Sequence, residues 1–119
     1  MSKPELEFFD VNEVGWTEIG PLVPGLTEQV LAADPGSGVA TRILRFDPGT
    51  DTSPMGAQQH SFWEEVYILT GDLHDLTLDE VFTAGMYACR PPGMSHGPWR
   101  STEGCTTFEV RYPAAPPRP

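Results

Sequence analysis

Glycine and proline cut this chain into pieces too short for ordinary helices. Its 119 residues hold 12 Gly and 13 Pro, and the runs between them alternate or carry β-branched and aromatic side chains. Val39 to Phe46 (VATRILRF) is the clearest case, with Ala40, Arg42, Leu44 and Phe46 on one face and Val39, Thr41, Ile43 and Arg45 on the other. Val14 to Ile19, with Trp16 in the core, Leu26 to Leu31, Glu64 to Thr70, Met86 to Arg90 and Thr106 to Tyr112 read as further strands. Asp34 to Gly38 (DPGSG) and Asp47 to Asp51 (DPGTD) read as turns, and Gly71-Asp72 as a tight turn before a return strand starting at Leu73. Short strands spaced this way close on one another as a sandwich or barrel. An all-β, antiparallel barrel is therefore expected. Its boundaries are expected as an arm and edge strand over 1–24, the barrel over 25–112 and a proline-rich tail over 113–119.

Two stretches carry the chemistry. In GAQQHSFWEEVYILTG (Gly56 to Gly71), Gln58 and His60 are two apart and share a face if extended, and Glu64 follows four residues later. Strand alternation admits only one of Glu64 and Glu65 to the interior. Glu64 shares its face with Val66 and Ile68, so Glu65 is assigned to solvent. In GMYACRPPGMSH (Gly85 to His96), the Pro91-Pro92-Gly93 turn re-aims the chain and can bring His96 back towards the same interior. Imidazole, carboxylate and amide oxygen are all donors for first-row metals. Gln58 is the poorest of the four and has a second reading, as a hydrogen-bond partner of a metal-bound water. A buried, unpaired Glu64 would be costly, and a cation beside it would account for its burial.

These segments resemble the paired motifs of the cupin superfamily, G(X)5HXH(X)3,4E(X)6G and G(X)5PXG(X)2H(X)3N. His60, Glu64 and Gly71 fit the first, and Gly85, Pro91, Gly93 and His96 fit the second. Gln58 stands where the first histidine is expected, Thr52 at the opening glycine and Arg100 at the closing asparagine. Among RmlC-like cupins the chain is similar to the small single-barrel group that includes the ChrR cupin-like domain and acetylacetone-cleaving dioxygenases. The resemblance implies a jelly-roll barrel holding a divalent ion (Fe, Mn, Ni or Zn) on Gln58, His60, Glu64 and His96, with Glu64 also moving a proton. It implies an enzyme acting on a small carbonyl or enolisable compound, most readily a dioxygenase cleaving a C–C bond. A metal-dependent isomerase, cyclase or lyase, and a non-catalytic small-molecule or metal sensor, are the alternatives.

Charge narrows the partners. Seven Lys and Arg against 17 Asp and Glu give a net charge of -10. That charge repels phosphate backbones and anionic lipid, so neither nucleic acid nor membrane is expected as a partner. A small-molecule substrate is expected, and a homodimer, because arms and sheet edges seek partners. The first residues lack the apolar centre of a signal peptide, and Cys89 and Cys105 read as reduced thiols, which points to a cytoplasmic protein. His74, among Asp72 and Asp75, is assigned to the surface. Trp63, Tyr67, Trp99, Phe108 and Tyr112 are assigned to the core or pocket wall, and Met55 and Met94 to filling gaps, with the pocket rim as the second reading. Arg42, Arg90 and Arg111 read as outward salt-bridge partners, with an inward role holding a carboxylate or enolate as the second reading.

Overall fold

The structure is a computed structural model that describes residues 3–114. Eight antiparallel strands form one curled sheet: β1 (Thr17–Glu18), β2 (Leu26–Asp34), β3 (Val39–Phe46), β4 (Phe62–Asp75), β5 (Glu80–Thr83), β6 (Tyr87–Arg90), β7 (Trp99–Arg100) and β8 (Cys105–Pro113). Their order is β1-β2-β3-β8-β4-β5, with β6 and β7 also paired to β4. The expected all-β barrel is the observed fold. Among the described residues, no helix is long and apolar enough to cross a membrane.

β4 is the strand that curls the sheet. Its first half pairs with β8 and β6, and its second half with β5 and β7. The expected tight turn at Gly71-Asp72 is not there, because the strand runs straight through it to Asp75. The register slips between Ile68 and Thr70, and Gly71 follows at φ 83°. A Cβ on Gly71 would sit 1.8 Å from the carbonyl oxygen of Gly104, so only glycine lets the two backbones approach this closely. The chain reverses later, where Asp75 Oδ1 accepts from the amides of Thr77 and Leu78.

The N-terminal segment differs from expectation. Of Val14 to Ile19 only Thr17–Glu18 is strand, and Val11–Glu13 is a 3-10 turn capped by Asp10. Trp16 is 37% exposed rather than buried, with the Arg45 guanidinium 4.0 Å from its ring centre. The segment lies across the outer side of the sheet, held by Gln29 Nε2 donating to the carbonyls of Val11 and Val14 and by Lys3 donating to Thr41. Leu6, Phe8 and Phe9 form no strand and are exposed. Of the expected tail, residues 115–119 lie outside the described residues.

Alternation sorts the barrel. Leu44, Phe46, Ile68 and Leu73 join Val23, Leu26 and Cys105 in an apolar cluster, against which Ile19, Met55, Phe82 and Trp99 pack. The rest of the interior is polar: Glu64, Thr107 and Glu109 are buried on the same inward faces of β4 and β8. Four of the five aromatics assigned to the interior face outward. Trp63 and Tyr112 stack across β4 and β8, and Tyr67 and Phe108 are half exposed. Parity decides this: with Glu64 inward, Trp63 and Tyr67 must face out, and cross-strand register sends Tyr112 and Phe108 with them. Cys89 is exposed and Cys105 is buried, and both are free.

Candidate metal and ligand site

Two backbone staples bring the distant motifs together. Gln58 and His96 exchange both amide hydrogen bonds, at 2.7 and 2.9 Å, and the Gly93 amide donates to the His60 carbonyl at 2.8 Å. Gly93, at φ 85°, completes the Pro91 turn that makes this possible. The reading of that turn from sequence was correct in kind: His96 does return beside the first motif.

The site is a cavity of about 170 Å³ lined by Gln58, His60, Glu64 and His96 on one part of its wall. His60, Glu64 and His96 each offer a donor atom within 4.8 Å of the others. The two imidazole centres are 4.9 Å apart, and His96 Nε2 is 3.9 Å from Glu64 Oε1. Burial lowers the pKa of both imidazoles; for His96 burial and then the Arg90 charge bring it to about 4. Both rings are thus neutral at pH 7, the form that binds metals. Both ring nitrogens of His96 and Oε2 of Glu64 are buried with no hydrogen-bond partner. Orphaned polar atoms in one cavity cost free energy unless something fills the gap. A divalent ion fits this donor set, so a His/Glu/His metal site is possible here. The Gln58 amide nitrogen donates to the Met55 carbonyl, leaving its oxygen as the end free to accept or coordinate. His74 stands apart, bonded to Asp79 and near Arg100, the residue at the closing-asparagine position.

The arginines overturn the outward reading. Arg42, Arg90 and Arg111 all line the cavity. Arg90 on β6 and Arg111 on β8 are the direct cross-strand partners of Glu64 on β4. Arg90 Nη1 donates to Glu64 Oε1 at 2.9 Å, and Arg111 Nε is 3.7 Å from Oε2. Glu64 therefore owes its burial to Arg90 without any metal. Arg42 donates to Glu28 at 2.7 Å and, through two nitrogens, to Glu109 Oε1. Thr107 caps the other oxygen of Glu109 at 2.8 Å. Burial works against the Arg42 cation, but Glu109 and Glu28 outweigh it and its pKa rises. The signal for this inward role was present in VATRILRF and TTFEVRY, where Arg42 shares parity with Leu44 and Phe46, and Arg111 with Glu109. Of the two methionines, Met55 lines this cavity, whereas Met94 is half exposed beside a neighbouring one.

Comparison with known proteins agrees with the architecture. An RmlC-like cupin from Shewanella frigidimarina is 23% identical, with 96% of each chain covered and a TM-score of 0.74. The polyketide cyclase RemF from Streptomyces resistomycificus is 18% identical over 95% of this chain and 83% of its own, with a TM-score of 0.71. An acetylacetone dioxygenase from Acinetobacter johnsonii is 15% identical over 94% of this chain and 75% of its own, with a TM-score of 0.70. At these identities the likeness shows the fold, and the different activities named for these proteins leave the reaction open. No curated protein sequence matches the chain. The sequence profile of the ChrR cupin-like domain matches residues 5–115, nearly the whole chain, so the protein belongs to that cupin family.

Proposed function

We propose that the protein is a metal-dependent cupin enzyme that deprotonates and cleaves a small enolisable carbonyl compound, with dioxygen as co-substrate. The observation that carries this reading is the convergence of His60, Glu64 and His96 on one cavity with buried donor atoms left unpaired. Gln58 is the fourth ligand in this reading, through its amide oxygen. A bound divalent ion supplies Lewis-acid stabilisation of enolate charge. The chain's own groups do the rest. Arg90 fixes Glu64 through Oε1 and leaves Oε2, which has no hydrogen-bond partner, as the oxygen for the ion; Glu64 takes the α-proton only where the ion does not hold it tightly. Leu44, Phe46, Val66 and Trp99 supply an apolar wall that excludes water from the reacting carbon. Acetylacetone dioxygenase and polyketide cyclase among the structural neighbours support the carbonyl class.

A second reading is a non-catalytic binding or sensing module, which membership of the ChrR cupin-like family leaves open. Oxygen uptake separates the two. The Fe(II)-loaded protein is expected to consume dioxygen with at least one of a panel of 1,3-diketones and hydroxyketones. No uptake across the panel, with iron bound, removes the dioxygenase and leaves the isomerase, cyclase, lyase or sensor. A homodimer is part of the proposal, supported by the half-exposed Tyr67, Leu69 and Phe108 on the outer sheet face; light scattering tests it.

A further inference from the structure

The charges around the cavity do not pair off evenly. Three guanidinium groups and two carboxylates, Glu64 and Glu109, line it, and Glu28 reaches Arg42 from beside it. Arg42 takes both Glu28 and Glu109, at 2.7 Å each. Arg90 takes Glu64 at 2.9 Å. Arg111 is left over. Its closest carboxylate oxygen is Glu64 Oε2 at 3.7 Å, its Nε is buried without a partner, and its side chain donates no hydrogen bond among the described residues. Burial, and then the charge of Arg42, pull its pKa below the ordinary guanidinium value. A buried guanidinium without a hydrogen-bonded anion is costly, and Glu64 Oε2 at 3.7 Å and the Phe62 ring, 5.1 Å from the guanidinium carbon, offset that only in part. The side chain is 27% exposed, against 12% for Arg42 and 11% for Arg90, so a ligand can reach it. The residue facing it on β3 is Ala40, too small to occupy the space beside it.

We propose that Arg111 is the anchor for a carboxylate on the substrate, which makes the ligand a small oxo-acid rather than a neutral ketone. A guanidinium fork matches a carboxylate in shape and charge, and binds it through two parallel hydrogen bonds. The same charge balance strengthens when an ion is bound. The three cations and three carboxylates of the network cancel, so a divalent ion adds two uncompensated positive charges to the cavity. A ligand carrying a carboxylate and forming an enolate supplies two negative ones. The enolate half of this proposal rests on the function proposed above, whereas the carboxylate half rests on Arg111 alone.

Two probes with the same carbon skeleton test it: pentane-2,4-dione, and 2,4-dioxopentanoate, in which a carboxylate replaces one methyl group. Calorimetry measures both on Zn(II)-loaded and on metal-stripped protein. The oxo-acid is expected to bind at least about tenfold more tightly in both forms, the scale of hydrogen bonds to a charged group. In metal-stripped Arg111→Gln the ratio of the two affinities is expected to fall to about one, and in stripped Arg111→Lys to an intermediate value. Equal affinities in the wild-type stripped protein overturn the proposal, whether or not the variants fold. A preference that survives intact in stripped Arg111→Gln overturns it too. The metal reading fails separately: diketone affinity is then the same in loaded and stripped protein, while the preference in the stripped form still reports on Arg111.

Discussion

Glu64→Gln removes the charge that Arg90 was folded around while keeping nearly the same shape. The two side chains are 4% and 11% exposed, and their hydrogen bond is 2.9 Å long. At that separation, with an effective dielectric constant of ~20, their direct attraction is on the order of 6 kcal/mol. Desolvation of both ions offsets much of this, so the pair adds little relative to a well-packed apolar pair. Removing one partner is a different matter, because the other stays buried with its desolvation uncompensated, at a cost of about 3–5 kcal/mol. Gln retains an acceptor for Arg90, so the low end, about 3 kcal/mol, is expected. For a chain of this length that corresponds to a fall in Tm of roughly 10 °C. The assay is urea unfolding of metal-stripped protein in the presence of chelator, followed by tryptophan fluorescence. Glu64→Leu combined with Arg90→Leu is expected to recover at least half of the loss, since both charges leave together. A loss under about 1 kcal/mol in Glu64→Gln would show that the arginine does not hold this carboxylate in place.

Three further outcomes are expected. Elemental analysis should find metal in wild type and in His74→Ala but not in His60→Ala or His96→Ala, and Gln58→His should bind the ion more tightly; equal metal content in all variants contradicts the ligand assignment. Metal-stripped protein should lose stability as pH falls from 6.5 towards 4, because the buried His96 titrates near 4 while the unfolded chain takes up its proton near 6.5. His96 alone accounts for up to about 3 kcal/mol, with His60 acting in the same direction; urea midpoints at pH 7.5 and 4.5 that shift equally in wild type and His96→Gln would refute this. Cys105 is buried with its pKa pushed up to about 12, whereas Cys89 is exposed, so a thiol reagent should label one cysteine quickly in native protein and both after unfolding. Rapid labelling of both native thiols contradicts the burial of Cys105.

What the sequence disclosed follows from what each signal depends on. Period-two alternation is local: it put Leu44 and Phe46 on one face of their strand, placed Val66 and Ile68 inward and chose Glu64 over Glu65. The Pro91-Pro92-Gly93 turn is also local, and it predicted the return of His96. Gly71 misled because a glycine at φ 83° serves a turn and a close backbone approach equally well, and only the position of Gly104 across the sheet distinguishes them. Four of the five aromatics face outward because strand parity outranks ring size. Trp63 sits next to Glu64 and must take the opposite face, where it stacks on Tyr112 instead of filling the cavity. Arginine faces solvent by default, and that default fails where Glu64, Glu109 and Glu28 arrive from three strands to meet it. Such a network depends on strand register, which no single segment encodes.

Anomalous diffraction from crystals grown with Mn(II) is the most direct measurement, because it locates an ion without reference to activity. The account predicts one strong peak in the barrel within coordination distance of a His60 nitrogen, a His96 nitrogen and Glu64 Oε2, with Arg90 still on Oε1. A barrel without such a peak, its two imidazoles hydrogen-bonded only to water, would contradict it.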